Sequence, residues 1–341
     1  MIVNNIDFFN IAEVGKDGTL YRFPQRALSA IGMPEYDEAG RVTGIYKGHE
    51  NYARKLTNCE LRFATASDEI AVCLYAENPV EVSVYQGDYL NQSVFTAAGE
   101  NELTFVRFEQ VKGLRANQCN RFSPEIWRVV LNGEAPVRFL GVKAKGIRPP
   151  EPGEVPAKRI LAYGSSITQG VGTPYPRLNY LSVAEQILGI EFLNKGIGSG
   201  CFCESAILEY FLTEQFDAVY LELGTNIATR PLFAIEERVG PLIDALCTRF
   251  SDKTVFLMSP IKGFSDVSNT AKDYRIKFAN TRKVIAEHAA KHANAVLLDG
   301  HALVGKDYYL KVNILGDLLK IGKQTANSLY RLSFGSRYLC D

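Results

Sequence analysis

The chain has 341 residues, of which 46% are hydrophobic and 22% are charged, as in an ordinary soluble globular protein. This length is sufficient for two domains and too long for one small hydrophobic core. Lysine and arginine together number 38, and so do aspartate and glutamate. The chain therefore has no net charge that would attract nucleic acid or anionic lipid.

The N-terminus and the cysteines indicate the compartment. The first residues lack a basic region followed by a sustained apolar stretch, so we expect no signal peptide. No apolar run approaches the ~20 residues that a membrane span needs. The cysteines number seven and are scattered, which fits free thiols in a reducing compartment better than a disulfide framework. We predict a cytoplasmic protein that binds neither membrane nor nucleic acid, and leave open whether it forms a homo-oligomer.

Short strands dominate the first 147 residues. Segments 69–76 and 80–85 alternate apolar and polar residues with the period of two that a half-buried strand requires. Segments 102–108, 126–131 and 137–142 follow, each bounded by glycine, asparagine or proline. No long segment with helical periodicity intervenes. This pattern is typical of an antiparallel β-sandwich or jelly roll.

A proline-rich segment separates this region from the rest of the chain. Between Gly146 and Ala157 there are four prolines, which cannot continue a helix or a central strand and which stiffen a connector. We therefore predict an all-β domain over residues 1–147, a linker over 148–157 and a second domain over 158–341.

After the linker, short apolar runs alternate with helical stretches. The runs lie at 159–163, 191–193, 217–223, 254–258 and 294–298, and the helical patterns at 234–250 and 271–292. Almost wholly apolar strands that alternate with helices predict a three-layer α/β fold with a parallel sheet covered on both faces. Ligands bind beyond the carboxyl ends of the strands in such sheets. The residues directly after each run are therefore the candidates for function.

These strand ends carry a serine, glycine-rich backbone, a carboxamide and an imidazole, which are the groups that acyl transfer needs. The segments are Gly164-Ser-Ser-Ile-Thr168, Asn194-Lys-Gly-Ile-Gly-Ser-Gly200, Gly224-Thr-Asn226, Ser259-Pro260 and Asp299-Gly-His301.

In order and spacing, the motifs over roughly residues 158–310 resemble those of the SGNH (GDSL-type) hydrolase family of serine esterases and lipases. The whole chain resembles the two-domain members in which a β-sandwich precedes the hydrolase domain, as in some carbohydrate acetylesterases. The resemblance implies a flavodoxin-like α/β fold. It also implies hydrolysis of short-chain esters, acetyl esters of carbohydrates above all, without a metal or organic cofactor.

The resemblance assigns roles to individual residues. Ser166 matches the nucleophile of the first block, where Ser165 stands in place of the usual aspartate. The N–H of Gly198 or of Ser199 matches the glycine-rich second block, and Asn226 matches the asparagine of the third. The backbone N–H and the Asn226 side chain would donate hydrogen bonds to the oxyanion of an acyl-Ser166 reaction.

The family's fourth block, Asp-x-x-His, has no match. The nearest alignment places Asn313 and Leu315 at its two positions, and no histidine follows His301. Asp299 and His301 are the candidates for a compressed dyad that would supply the base. A serine without a base is a weak nucleophile. The alternative is therefore a catalytically impaired ligand- or carbohydrate-binding protein of the same fold. A divergent terminus and a shifted reading frame would both give this sequence.

The remaining motifs are interpreted structurally. His288 and His292 lie four residues apart on a predicted helix and are interpreted as part of its solvated face, not as metal ligands. Cys201 and Cys203 are interpreted as small buried residues because a second pair of thiols is lacking. His49 falls in the predicted first domain.

Overall fold

A computed structural model describes residues 1–114, 121–133, 136–173, 178–263, 266 and 272–303. The described chain divides into two compact units. The first contains residues 1–28, 51–158 and 189–193, and the second contains 29–50, 159–188 and the described residues from 194 onward. Residues 29–50, which the sequence placed in the first domain, therefore cluster with the second unit.

Antiparallel strands build the first unit. Numbered in chain order over the whole protein, they are β1 (Ile2–Val3), β2 (Ile6–Phe9), β3 (Glu13–Val14), β4 (Leu20–Tyr21), β7 (Cys59–Ala64), β8 (Glu69–Ala76), β9 (Glu81–Gln86), β10 (Tyr89–Phe95), β11 (Gly99–Val106), β12 (Ile126–Asn132) and β13 (Val137–Lys143). Helices α1 (Gln25–Ala30) and α2 (Glu50–Arg54) and a 3-10 turn at Glu109–Val111 complete the described elements up to the linker, apart from one hairpin described below.

Two sheets of the first unit share one hydrophobic core. Their strand orders are β1-β2-β7-β12-β9-β10 and β11-β8-β13. Phe63 of β7 and Trp127 of β12 are buried in the same cluster as Leu74 of β8. The five strands predicted between residues 69 and 142 are all present, and the β-rich first domain is confirmed. Strand β10 and the strands before residue 69 were missed, and most of the latter are too short for an alternating pattern to be visible.

A buried group of charges joins β7 to β12 in the first unit. Glu60 accepts hydrogen bonds from Arg62 at 2.8 Å and from Arg128 at 2.6 and 2.8 Å. Arg62 also pairs with Glu191, and the Arg128 guanidinium lies 3.8 Å from the centre of the Phe122 ring. Burial raises the pKa of the Glu60 carboxyl, but the charges of Arg128 and Arg62 outweigh it and bring that pKa to about 2.

A five-stranded parallel sheet organises the second unit, although residues 191–193 of its end strand cluster with the first unit. Its strands are β14 (Arg159–Tyr163), β15 (Glu191–Asn194), β16 (Ala218–Glu222), β17 (Val255–Met258) and β18 (Ala295–Leu298), in the order β15-β14-β16-β17-β18. The helices are α3 (Ser166–Gln169), α4 (Tyr180–Leu188), α5 (Ser205–Phe211), α6 (Leu232–Arg249), α7 (Lys272–Ala289) and α8 (Gly300–Leu303). Each strand begins and ends within one residue of its predicted apolar run, and the predicted α/β fold is confirmed.

One hairpin from the N-terminal part of the chain belongs to the second unit. It consists of β5 (Met33–Tyr36) and β6 (Val42–Tyr46). The Tyr36 ring packs against that of Phe233 with ring centres 5.2 Å apart, and the Tyr46 ring packs against that of Phe202 at 6.0 Å. These contacts between side chains far apart in sequence explain why the segment clusters with the second unit.

Helices α6 and α7 are joined by two histidines. His288 Nδ1 and His292 Nε2 lie 2.9 and 2.8 Å from the carboxylate of Asp244 on α6. The two imidazole side chains are each only 18% exposed, so their interpretation as part of a solvated face is wrong. A histidine that pairs with a carboxylate on the neighbouring helix is held against that helix, even where the residues around it in the sequence are polar.

Two negative findings apply to the described ranges. Within them, no helix combines the length and apolar character that crossing a membrane requires. They also contain no group of three or more histidine, cysteine, aspartate or glutamate side chains placed to hold a metal ion.

Candidate functional site

Ser166 lies on a tight turn between β14 and α3. It is the first residue of the helix and is half-buried. The side chain of Ser165 caps the helix by accepting a hydrogen bond from the N–H of Ile167 at 3.2 Å. Gly170, with φ of 89°, ends the helix after a single turn. The turn therefore fixes the backbone of Ser166 at the carboxyl edge of the sheet.

A buried carboxyl group, that of Glu222, holds this turn from the neighbouring strand. Its Oε2 accepts hydrogen bonds from the N–H and Oγ of Ser165, at 2.7 and 2.6 Å, and from Thr168 Oγ1 at 3.1 Å. Its Oε1 accepts one from Thr225 Oγ1 at 2.7 Å. A Cβ at Gly164 would lie 2.8 Å from Oε2 and 2.2 Å from Thr168 Oγ1, so no side chain fits there.

Sequence reasoning missed Glu222, although a signal was present. It is the one charged residue in the strand Ala218–Glu222, and it stands at the carboxyl end of that strand. Ser165, where the resembling family has an aspartate, is the residue that Glu222 binds. The chain thus supplies a carboxyl group to the turn that carries Ser166 from the adjacent strand and not from the turn itself.

The glycine-rich segment after β15 packs directly against α3. Asn194 Nδ2 donates to the carbonyl oxygen of Thr168 at 2.9 Å, and its Oδ1 accepts from the N–H of Gly196 at 3.0 Å. A Cβ at Gly196 would lie only 2.3 Å from the backbone nitrogen of Gln169, which cannot give way. Glycine is therefore required there for close packing.

The structure distinguishes the two candidate backbone donors. The N–H of Gly198 already donates to Gln169 Oε1 at 2.6 Å, and Gly198 is buried. Ser199 is exposed, with φ of 53°, and within the described ranges its N–H has no acceptor. The geometry therefore favours Ser199 as the donor to a ligand, while Gly198 fixes the loop.

The side chain of Asn226 makes no hydrogen bond within the described ranges. It lies in the turn after β16, next to Thr225, which Glu222 anchors. Its Oδ1 is buried without a hydrogen-bond partner among the residues that the structure describes. Its amide group likewise donates to none of them, so it is free to donate to a ligand.

The candidate dyad of Asp299 and His301 is not formed in the described structure. Asp299 Oδ1 instead accepts the backbone N–H of His301 at 3.0 Å, because a carboxylate two residues earlier readily binds that N–H in a tight turn. The ring Nε2 lies 3.9 Å from Oδ1 of Asp266, and the His301 side chain is 43% exposed. Asn313 and Leu315, the positions of the fourth block, lie outside the described residues.

His49 lies behind the glycine-rich segment. Its side chain is fully buried, with Nε2 2.7 Å from Glu204 Oε1 and with Nδ1 lacking a partner in the described part of the chain. A Cβ at Gly200 would come within 3.1 Å of the ring. Cys201 and Cys203, which flank Phe202, are buried as expected.

Substitution of Glu222 tests its role in the turn. We expect Glu222→Ala to lower the free energy of unfolding by about 2–4 kcal/mol, because several buried donors lose their acceptor. Glu222→Gln keeps an acceptor oxygen and should cost clearly less. Urea unfolding at pH 7 measures both, and equal losses for the two variants would contradict the hydrogen-bonding role.

The same variants carry a prediction on pH. Burial is the largest influence on Glu222 and raises the pKa of its carboxyl above the ordinary value of 4.5. Its contribution to stability is therefore complete below pH 4.5 and is lost as the pH rises through the folded-state pKa. The free energy of unfolding of the wild type minus that of Glu222→Gln should fall as the pH rises from 4 to 7. A difference that grows with pH would overturn the assignment.

Comparison with known proteins identifies the architecture. No protein-family model and no curated protein sequence matches the chain. Among solved structures, the salicylyl-acyltransferase SsfX3 from a tetracycline biosynthetic pathway superposes with a TM-score of 0.73 at 15% identity, over 98% of this chain and 97% of that one. A protein described as a GDSL-like lipase, from Bacteroides ovatus, gives 0.62 at 14% identity, over 96% and 98%. A family two carbohydrate esterase from Cellvibrio japonicus gives 0.59 at 12% identity, over 96% and 95%.

Proposed function

We propose that this chain, which has the fold of the SGNH hydrolases, is a serine esterase that hydrolyses short-chain acyl esters. One observation carries the proposal. Ser166 stands at the carboxyl edge of the sheet, and the turns after the two flanking strands, β15 and β16, present the N–H of Ser199 and the amide of Asn226, both without partners in the described ranges. Acyl transfer needs a nucleophile together with hydrogen-bond donors that are free to bind the oxyanion.

The reaction follows from these groups. Ser166 Oγ attacks the ester carbonyl carbon, and the carbonyl oxygen becomes an oxyanion. The N–H groups of Ser166 and Ser199 and the side-chain amide of Asn226 donate to that oxygen, and removing one such donor typically costs ~3–4 kcal/mol of transition-state stabilisation. Collapse of the intermediate releases the alcohol and leaves acyl-Ser166, which water then hydrolyses.

His301 is the proposed base for this reaction. Of the four histidines in the chain, His49 binds Glu204, while His288 and His292 bind Asp244. His301 is exposed and follows directly on the carboxyl end of β18. Among the described residues, the one carboxylate within 4 Å of its ring belongs to Asp266, which therefore replaces Asp299 as the proposed orienting group.

The substrate proposal is an acetyl ester of a carbohydrate. The likeness to a carbohydrate esterase supports it. The likeness to a salicylyl-acyltransferase supports a second candidate, in which an alcohol instead of water takes the acyl group from the same serine.

The described cysteines are free thiols, which supports a reducing compartment such as the cytoplasm.

Active-site labelling tests the proposal directly. A fluorophosphonate reagent phosphonylates an activated serine and leaves ordinary surface serines unmodified. We expect one adduct per chain, located at Ser166 by peptide mass spectrometry, and slower labelling in the presence of an acetylated sugar. The heat-denatured protein is the control and should not react. Absence of an adduct on the folded protein would favour the alternative of a catalytically impaired binding protein.

A further inference from the structure

A positively charged side chain lies between the two segments that carry the proposed oxyanion donors. The Arg230 guanidinium carbon is 5.6 Å from the ring centre of Phe202 and 6.0 Å from that of Tyr46. Arg230 comes four residues after Asn226, and Phe202 comes three residues after Ser199. The guanidinium therefore joins the turn of one donor to the segment of the other.

The turn that contains Arg230 and the aromatic rings beside its guanidinium are each fixed by further contacts. The turn that contains Arg230 is closed by hydrogen bonds from Ala228 N–H to Gly224 O and from Arg230 N–H to Ile227 O, each at 2.9 Å. Tyr46 stacks on the buried ring of His49, which also meets the edge of Phe202 at 4.9 Å. The position of the cation is thus set by packed aromatic rings and a closed turn.

Arg230 has no counter-charge in the described part of the chain. No carboxylate there lies within salt-bridge distance of it, and its Nε is buried without a hydrogen-bond partner. The nearest buried carboxyl group along this segment, that of Glu204, already binds His49 at 2.7 Å. A half-buried guanidinium without an acceptor is costly, so such a group is normally paired when its ligand is bound.

A second arginine, Arg238, adds a positive charge beside Phe202. Arg238 on α6 donates to the carbonyl oxygen of Phe202 at 3.3 Å and likewise has no carboxylate partner among the described residues. Lys277 on α7 reaches the carbonyl oxygen of Thr229, next to Arg230, at 3.5 Å. Three cationic side chains therefore contact either Phe202 or the turn that ends at Arg230, in a chain that is electrically neutral as a whole.

We propose that Arg230 binds a carboxylate of the substrate, so that the esters on which this site acts are anionic. This inference rests on the proposed esterase function and narrows its substrate class. The rings of Phe202 and Tyr46 lie perpendicular to each other beside the guanidinium, whose N–H groups donate to no side chain or carbonyl in the described ranges. A carboxylate fits a planar guanidinium with two parallel hydrogen bonds. The carboxylate belongs either to the acyl group or to the alcohol, for example a uronic acid.

Two matched pairs of esters test the proposal. Mono-p-nitrophenyl succinate against p-nitrophenyl acetate places the carboxylate on the acyl group, and acetylated glucuronate against acetylated glucose places it on the alcohol. We expect the wild type to prefer the anionic ester of one pair by at least about tenfold in kcat/KM. Arg230→Gln should abolish that preference by lowering kcat/KM for the anionic ester at least about tenfold, chiefly through KM, as expected for losing hydrogen bonds to a charged group.

Two variants make the result specific. Arg249 also lies beside an aromatic ring, that of Phe250 at 5.4 Å, but at the far end of α6. Arg249→Gln should therefore retain the full preference. Arg230→Lys keeps the charge without the planar edge and should retain only part of it. Thermal unfolding confirms that the variants are folded.

The outcomes separate this inference from the proposed function. Turnover of the neutral esters by the wild type without preference for either anionic ester overturns the inference and leaves the esterase intact. An unchanged preference in Arg230→Gln does the same. If no ester is hydrolysed and Ser166 is not labelled, both proposals fail together.

Discussion

Ser166→Ala is expected to lower kcat for p-nitrophenyl acetate by at least about 10⁴-fold, since removal of the nucleophile leaves only binding and oxyanion stabilisation. The variant should remain folded, because the hydrogen bonds that hold the turn come from Ser165 and Thr168 to Glu222 and not from the side chain of Ser166. Steady-state hydrolysis of p-nitrophenyl acetate, with far-UV circular dichroism of each variant, measures the effect.

Three further substitutions assign the rest of the site in the same assay. Asn226→Ala should lower kcat by about 10²–10³-fold, the usual effect of removing one oxyanion donor. Ser199→Ala is the matched control, because it removes a side chain but keeps the proposed N–H donor, and it should have little effect. His301→Ala should approach the loss seen in Ser166→Ala. If the wild type hydrolyses p-nitrophenyl acetate no faster than Ser166→Ala does, the esterase proposal is wrong. If His301→Ala hydrolyses it as fast as the wild type does, His301 is not the base.

Glu60→Gln is expected to lower the free energy of unfolding of the protein by about 3–5 kcal/mol. Glu60 is the shared partner of Arg62 and Arg128 in the core of the first unit. An amide there leaves two buried guanidinium groups with too little negative charge, and breaking a buried ion pair from one side typically costs this much. Urea unfolding at pH 7 measures this loss of unfolding free energy. The rate of ester hydrolysis by the folded variant should stay close to that of the wild type.

The pH dependence of this loss has a defined direction. The pKa of Glu60 is about 2 in the folded protein, against an ordinary value of 4.5. Its contribution is therefore complete above pH 4.5 and is lost as the pH falls from 4.5 towards 2. The gap between wild type and Glu60→Gln should narrow over that range. Glu102→Gln is the control, since the Glu102–Lys143 pair is exposed and should matter little. Equal effects of the two substitutions would contradict the role of burial.

The elements and the order of the site motifs were legible in the sequence, because they depend on local patterns. The alternation in Glu69–Ala76 and the almost wholly apolar run in Arg159–Tyr163 each match a strand of the structure to the residue. A strand or helix that buries one face or both must carry that pattern in its own residues. The positions of Ser166 and Asn226 followed from the rule that ligands bind at the carboxyl ends of parallel strands.

Partnerships between distant residues were decided only by the tertiary structure. Glu222 lies 57 positions from the Ser165 that it binds, and His49 lies 155 positions from Glu204. The N–H of Gly198 donates to the side chain of Gln169, whereas that of Ser199 has no acceptor among the described residues. The His301 ring lies within 3.9 Å of Asp266 and not beside the Asp299 carboxylate. Sequence periodicity fixes which face of an element is buried, whereas a hydrogen-bond partner depends on where the chain returns. The fold class could therefore be determined from the sequence alone, while the pairing of the residues around Ser166 could not.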